Sequence, residues 1–269
     1  MTYRAAGVDV GSLCTKVVIV DDRHKILSYS IVRSGFIFKD AAEDGMNEAL
    51  KSAGLTPGDI GYTVSTGYGR SHVQFADKEV TEITCHARGA KAFLPQIQTI
   101  IDIGGRDSKV IYVNECGGVT KFTMNDKCAA GTGRFLEVMA GALQVNLPEL
   151  GELWFRSRKP VEVSSMCTVF AESEAISLFA RGYDKADIAA AVQRSIARRI
   201  SGLVGQYGVQ ESVGMTGGVA KNVGVRKALE ERLRTPVFTP EEPQIAGAYG
   251  AAIIAAEAAG SVKTDPVTC

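Results

Sequence analysis

The sequence predicts an α/β protein made of two similar domains, and three observations support this. Strand-like apolar runs alternate with helical runs along all 269 residues. Residues 9–19 align without gaps on residues 102–112, and both segments run from a strand through an Asp-x-Gly turn to a hydroxyl, a Lys and a second strand. At this chain length, a single hydrophobic core also tends to be replaced by two. We therefore expect a first domain over 1–95 and 241–262 and a second over 96–240.

The first half is predicted to contain three strands, a helix, a fourth strand and a second helix. Short apolar or alternating runs bounded by turn residues indicate strands, and apolar residues three and four positions apart indicate helices. The strands are placed at 6–11, 16–21, 26–32 and 61–66, and the helices at 40–53 and 82–94.

The second half begins with the same order of strands and then adds helices. The strands are placed at 99–103, 109–113, 119–124, 161–163, 212–216 and 236–239, and the helices at 130–143, 168–181, 185–207, 219–233 and 244–259. The halves match again where residues 65–69 align on 215–219. However, 57 positions separate Asp9 from Thr66, whereas 114 separate Asp102 from Thr216. The second half therefore carries an insertion, in an interval that also holds Cys128 and Cys167.

The two Asp-x-Gly turns carry groups that suit a bound polyphosphate. The chain lacks the Gly-x-x-x-x-Gly-Lys-Ser/Thr motif of P-loop proteins, and no Gly-x-Gly-x-x-Gly motif follows the first strand. Backbone N–H groups of such turns can instead cradle phosphate oxygens, here at Gly11, Ser12, Gly104 and Gly105. One Asp-x-Gly hairpin alone is usually an ordinary turn. The repetition of the hairpin with its hydroxyl and Lys favours a phosphate site.

Other side chains complete this predicted nucleotide site. Asp9 and Asp102 can hold Mg²⁺, mostly through its water ligands. Thr15 and Lys16 lie on the return strand, from which they can reach phosphate. A third glycine turn, at Gly217 and Gly218, suits a ribose or an adenine because glycine lets a planar group lie on the backbone.

Charge and apolar patterning exclude some classes of partner. Thirty basic residues balance thirty acidic ones, so the net charge gives no reason to expect nucleic acid or an anionic membrane. The longest apolar run, 245–256, is too short to span a bilayer, and the N-terminus enters a strand without a signal peptide. We therefore expect a soluble, cytoplasmic protein.

Two of the six cysteines have the setting of a metal ligand. Cys128 and Cys167 are each predicted to lie between a strand and a helix, where unpaired N–H groups lower the pKa of a thiol. For Cys128 alone, a structural cysteine at a hinge is the ordinary interpretation. Together, two thiolates are half of a [4Fe–4S] site, and a two-fold dimer axis would supply the other two. Zinc held in the same way is an alternative, although it gives no use for ATP.

The turns together resemble the phosphate and adenosine motifs of the actin, Hsp70 and sugar-kinase superfamily, whose domains have a ribonuclease H-like fold. The resemblance implies two such domains, with a nucleotide cleft between them and the cysteine-bearing insertion in the second. It also implies ATP or ADP, Mg²⁺ and a hinge that responds to hydrolysis. The implied nucleotide-binding residues are Asp9, Gly11, Ser12, Leu13, Cys14, Thr15, Lys16, Gly104, Gly105, Arg106, Gly217, Gly218 and Gln244.

Two further segments, 125–137 and 165–174, resemble the activators of 2-hydroxyacyl-CoA dehydratases and the ATPase subunits of benzoyl-CoA reductases. Residues 66–70 and 85–90 resemble the same family. The resemblance implies that Cys128 and Cys167 of each subunit hold one [4Fe–4S] cluster per homodimer or pseudo-dimer. It implies ferredoxin or flavodoxin as the electron donor. ATP hydrolysis then drives the electron to an acyl-CoA dehydratase or an aromatic-ring reductase.

One position departs from this family pattern. Arg106 stands where many activators have Gln, and Arg cannot orient a water as an acceptor, although it can neutralise phosphate charge. The candidates for the hydrolytic base are therefore Asp102, Asp107 and Glu172.

Two other functions stay open: a small-molecule kinase of the same superfamily, and a chaperone-like nucleotide switch, for which the client-binding domain is missing.

Overall fold

The structure, a computed structural model, describes residues 3–164 and 167–261. Two five-stranded mixed sheets organise these residues. The elements in chain order are β1 (Arg4–Val10), β2 (Cys14–Asp21), β3 (Ile26–Arg33), α1 (Phe38–Ala53), β4 (Ile60–Thr66), β5 (Lys78–Glu79), α2 (Glu82–Phe93), β6 (Ile97–Ile103), β7 (Ser108–Val113), β8 (Val119–Asn125), α3 (Gly133–Leu143), α4 (Leu147–Glu152), α5 (Thr168–Ala180), α6 (Lys185–Val204), β9 (Ser212–Thr216), α7 (Val223–Leu233), β10 (Val237–Phe238) and α8 (Ala246–Ser261).

The chain divides into two compact units. The first comprises Met1–Pro95, Val113–Val119 and Gln244–Cys269, and the second comprises Gln96–Tyr112 and Thr120–Pro243. The chain thus leaves the first unit after α2, returns to it for the short segment Val113–Val119, and returns again just before α8.

Both sheets have the same strand order. The first runs β3-β2-β1-β4-β5, and the second, taken from its other edge, runs β8-β7-β6-β9-β10. In each sheet the central strand (β1 or β6) pairs antiparallel with the strand that follows it and parallel with the strand three places further along the chain, which is β4 or β9. The repeat in the sequence is therefore a repeat of sheet topology.

Both faces of the first sheet are covered by helices. Successive side chains of β1 point to opposite faces, so they pack into two different clusters. Ala6 and Val8 pack with apolar residues of α1, including Met46 and Leu50. Ala5, on the other face, packs with Ala-rich α8. The second unit has its own core, in which β6 and β7 pack against α3 and α6.

Several element boundaries differ from those predicted. Residues 161–163 form no strand; Val161 and Val163 are buried in the second core on irregular backbone, so their alternation reflects burial and not a ladder. The helix expected at 130–143 begins at Gly133. The helix expected at 219–233 is a 3₁₀ turn followed by α7, which Asn222 caps by accepting a hydrogen bond from Val225 N at 3.0 Å.

The two helices α2 and α8 are in direct backbone contact. A Cβ added at Gly89 would lie 1.9 Å from the carbonyl oxygen of Ala246, and one at Gly250 would lie 1.8 Å from that of Cys85. Backbone oxygens cannot move away cheaply, so these two glycines set the separation of the helices.

Among the described helices, none is long and apolar enough to cross a bilayer.

Replacing Gly89 with Ala should therefore destabilise the protein. Overpacking of a well-packed contact costs about 1–3 kcal/mol, and here the obstacle is backbone. Urea unfolding followed by circular dichroism measures the loss. The matched control is Gly202→Ala on α6, where an added Cβ meets nothing within 4 Å; it should gain up to about 1 kcal/mol from helix propensity. Equal stability of Gly89→Ala and wild type would contradict the packing described here.

Candidate functional site

The β1–β2 turn of the first unit holds an aspartate and a lysine together. Gly11 N donates to Cys14 O at 3.1 Å, which closes the turn. Asp9 and Lys16 are partners in the antiparallel register, and Lys16 Nζ lies 3.0 Å from Asp9 Oδ2. Asp9 is 3% exposed. The turn therefore presents a nearly buried carboxylate that is already paired with a cation.

The β6–β7 turn of the second unit has the same construction. Gly104 N donates to Asp107 O at 3.0 Å, and Asp102 and Lys109 are register partners. Lys109 Nζ lies 2.5 Å from Asp107 Oδ2 and 3.6 Å from Asp102 Oδ2. Thr216 Oγ1 donates to Asp102 Oδ1 at 2.8 Å. The Asp–Lys pairs thus occupy equivalent positions in the two sheets.

A glycine lies beside each of the two aspartates, and its backbone conformation and close contacts exclude other residues. Gly67 follows β4 with φ +87° and Gly217 follows β9 with φ +83°. A Cβ at Gly67 would lie 2.4 Å from Asp9 Oδ1, and one at Gly217 would lie 2.3 Å from Ile103 O. Sequence comparison aligned the two glycines but assigned only Gly217 to the site; the positive φ and the contact with Asp9 identify Gly67 as its counterpart.

Other predicted nucleotide-binding residues lie on or beside these turns. Ser12 and Leu13 form the first turn between Gly11 and Cys14. Thr15 lies behind it: its fully buried hydroxyl is 2.9 Å from that of Ser34, which donates to Gly11 O at 2.6 Å. The remaining predicted residues occupy the second turn and the segment after β9: Gly105, exposed Arg106, Gly218 at the start of a 3₁₀ turn, and Gln244, which follows the Pro243 carbonyl that accepts from Gly217 N.

The three candidates for the hydrolytic base are placed differently. Lys109 joins Asp102 to Asp107 through its ammonium group. Glu172 is half-buried on α5, the helix that begins after Cys167. The described contacts therefore join Asp102 and Asp107, whereas Glu172 lies on the helix that follows Cys167.

The structure corrects the expected position of Cys128. This half-buried residue lies in an irregular loop five residues before α3, and not at the start of that helix. Its loop is held by Asn125, whose Nδ2 donates to Cys128 O at 3.0 Å and whose Oδ1 accepts from Arg199 Nη2 at 3.4 Å. Sequence reasoning included neither Asn125 nor Arg199 in the site.

The first N–H groups of α3 have partners other than a cysteine. Gly133 N donates to Gly104 O and Arg134 N donates to Gly105 O, both at 2.9 Å. The β6–β7 turn therefore satisfies two of the four N–H groups that have no partner within the helix at its start. Consequently the helix dipole argument does not apply to Cys128, but the loop that carries it is joined to the turn.

Cys167 lies at the helix start that the sequence predicted, although the strand expected before it at 161–163 does not form. It is the N-cap residue of α5 and is exposed, and its carbonyl accepts from Ala171 N at 2.9 Å. The neighbouring Ser165 and Met166, part of the quoted motif, lie outside the described residues.

The described residues of one chain do not gather a set of metal ligands around either cysteine. Within residues 3–164 and 167–261, no group of three or more His, Cys, Asp or Glu side chains could hold a metal ion. Cys167 is exposed, whereas Cys128 is half-buried and packs against the core of the second unit. Cys85, in contrast, is fully buried; burial raises the pKa of its thiol to about 12, so it stays protonated and packs in the core.

Comparison with known proteins agrees with this geometry. The chain matches the model of the BadF/BadG/BcrA/BcrD ATPase family over residues 6–255. It is 48% identical to the (R)-2-hydroxyglutaryl-CoA dehydratase activating ATPase of Acidaminococcus fermentans, over 95% of this chain and 98% of that protein. It is 46% identical to the activator of lactoyl-CoA dehydratase of Anaerotignum propionicum, over 94% and 97% of the two chains.

A solved structure shows the same fold with a nucleotide analogue. The activator of the 2-hydroxyisocaproyl-CoA dehydratase from Clostridium difficile with bound ADPNP superposes with a TM-score of 0.92 at 40% identity, covering 99% of this chain and all of that one. On the family model, the relatives and the fold together, the chain belongs to the BadF/BadG/BcrA/BcrD ATPase family and is an ATPase with an actin-like fold.

Proposed function

We propose that this ATPase is an activator that passes single electrons to an acyl-CoA dehydratase, or to an aromatic-ring reductase of related chemistry. The relatives named as dehydratase activators support the class of partner. ATP hydrolysis supplies the free energy, and ferredoxin or flavodoxin supplies the electron.

The observation that carries the proposal is the bonding between the second turn and α3. The carbonyls of Gly104 and Gly105 accept from the first two N–H groups of the helix that directly follows the Cys128 loop. A turn that responds to the presence of a terminal phosphate would therefore move the start of α3, and with it the loop. This contact gives ATP hydrolysis a covalent and hydrogen-bonded route to a cysteine ligand.

We assign the nucleotide's phosphates to the two turns. The N–H groups of Gly11 and Gly104 close the turns, so phosphate is assigned to the neighbouring N–H groups of Ser12 and Gly105. Each turn also has an aspartate fixed by a lysine, at Asp9 with Lys16 and at Asp102 with Lys109. The aspartates bind Mg²⁺ through its waters. Exposed Arg106 offsets phosphate charge, and Asp102 and Asp107 are the candidates to orient the attacking water.

The residues present fit a cluster shared by two copies of the chain. Each copy offers the thiols of Cys128 and Cys167, and two copies make four ligands around a two-fold axis. When bound, a [4Fe–4S] cluster supplies a centre that accepts and releases one electron. The half-buried Cys128 loop, held through Asn125 by Arg199, orients one ligand.

The surface beside Cys167 supports assembly of two copies. α5 exposes large apolar side chains along its outer side; Val169, Phe170, Ile176 and Phe179 are 65%, 67%, 50% and 45% exposed. Apolar surface of this kind indicates a protein contact. Because it starts at a proposed cluster ligand, a second copy is the partner that would also complete the ligand set.

Purified without oxygen, the wild-type protein should contain about four iron atoms per two chains. Cys128→Ser and Cys167→Ser should each lose the iron while retaining ADPNP binding, because neither thiol belongs to the phosphate turns. Cys116→Ser is the matched control, since Cys116 is also exposed but lies in the β7–β8 turn. Iron analysis and nucleotide titration measure both properties. An iron-free wild type with full ATPase activity would refute the electron-transfer proposal.

Gly133→Pro should uncouple the cluster from the nucleotide. Proline at the first helical position keeps the helix but removes the N–H that donates to Gly104 O. Coupling between two sites is typically worth 1–3 kcal/mol, so wild-type affinity for ADPNP should differ about 5- to 150-fold between the oxidised and the dithionite-reduced protein. In Gly133→Pro that ratio should approach one.

Gly133→Ala is the control for this variant, because it adds a side chain and keeps the N–H group. Its Cβ would lie 3.3 Å from Gly104 O, a tight but tolerable contact. Gly133→Ala should keep the wild-type affinity ratio. If Gly133→Pro keeps it as well, the hydrogen bond to the turn does not transmit the nucleotide state.

A further inference from the structure

We propose that His86 is a positioning residue that orients the Asp9 carboxylate for Mg²⁺, acting across Gly247 at the start of α8. The inference rests on the proposed role of Asp9 in binding Mg²⁺ and phosphate. It assigns a role to a buried histidine that the phosphate turns themselves do not include.

The geometry places the imidazole beside the carboxylate. His86 is on α2 and is 7% exposed. A Cβ added at Gly247 would lie 2.9 Å from His86 Nε2 and 3.0 Å from Asp9 Oδ2. Both atoms therefore border the same small space, which is open because residue 247 has no side chain. Elements α2, α8 and β1 meet at this point in the first unit.

The two units differ in the hydroxyl that reaches the central aspartate. In the second unit, Asp102 receives a hydrogen bond from Thr216, its neighbour in the parallel register. Thr66 holds the equivalent register position beside Asp9. Its buried hydroxyl does not donate to Asp9. His86 Nε2 and Asp9 Oδ2 lie 2.9 and 3.0 Å from the same added Cβ position at Gly247, so the imidazole is a donor group near this carboxylate.

The remaining contacts of Asp9 leave this role open for an N–H donor. Lys16 Nζ approaches Oδ2 at 3.0 Å, and the backbone at Gly67 lies against Oδ1. Lysine is a mobile point charge, whereas a ring held in a packed helix defines a direction. Residues that hydrogen-bond to a metal-binding carboxylate fix its orientation, and their loss typically costs 10- to 100-fold in metal affinity or activity.

The test measures ADPNP affinity with Mg²⁺ and with EDTA, using the full-length purified protein. We expect His86→Ala to lose about 10- to 100-fold of the affinity gained from Mg²⁺, with unchanged affinity in EDTA. His86→Gln should retain most of the gain, because its amide nitrogen reaches the position of Nε2. A residue that only supports the fold would weaken both affinities equally and would not be rescued by Gln.

A second variant keeps the proposal falsifiable if His86→Ala fails to fold. Gly247→Ala fills the space between the two side chains and should cause the same Mg²⁺-specific loss, whereas Gly202→Ala should not. Wild-type Mg²⁺ dependence in both His86→Ala and Gly247→Ala would overturn the inference.

Asp9→Asn separates this inference from the proposed function. If Asp9→Asn keeps its Mg²⁺-dependent affinity, the proposed role of Asp9 fails, and the inference fails with it. If Asp9→Asn loses that affinity while His86→Ala keeps it, the inference alone fails.

Discussion

The structure depends on a helix that is capped by a turn and not by a side chain. Thr132, the N-cap residue of α3, makes no side-chain cap, because its hydroxyl donates to Ala129 O at 2.5 Å. The carbonyls of Gly104 and Gly105 take over that role. Each backbone hydrogen bond contributes about 0.5–1.5 kcal/mol net. Loss of both in one nucleotide state would change the free energy by about 1–3 kcal/mol, which is the range typical of coupling between sites.

The β1–β2 turn and the β6–β7 turn each contain a charge pair within their own sheet. Lys109 is 2% exposed and lies between Asp102 and Asp107. Charges buried to this degree are tolerated only when they are paired. The pair at Asp9 and Lys16 has the same register in the other sheet. Contacts within the chain itself therefore hold both turns.

Much of the fold could be predicted because the chain repeats itself. The aligned Asp-x-Gly segments predicted the two strand–turn–strand units, and family resemblance identified the ATPase. The strand expected at 161–163 was wrong because buried loop residues alternate as strand residues do. The prediction that Cys128 lies at the start of α3 was wrong, because the apolar run from Phe135 does not show where the helix begins. The donors from Gly133 and Arg134 are backbone groups between distant segments, and no residue pattern encodes them.

The most direct test of the central claim is amide hydrogen exchange of residues 102–140 with bound Mg–ADP and with bound Mg–ADPNP. The turn at 104–107, the first N–H groups of α3 and the Cys128 loop should change their exchange rates together when the terminal phosphate is present. A change confined to residues 102–109, with identical exchange at residues 126–134 in both complexes, would contradict the account.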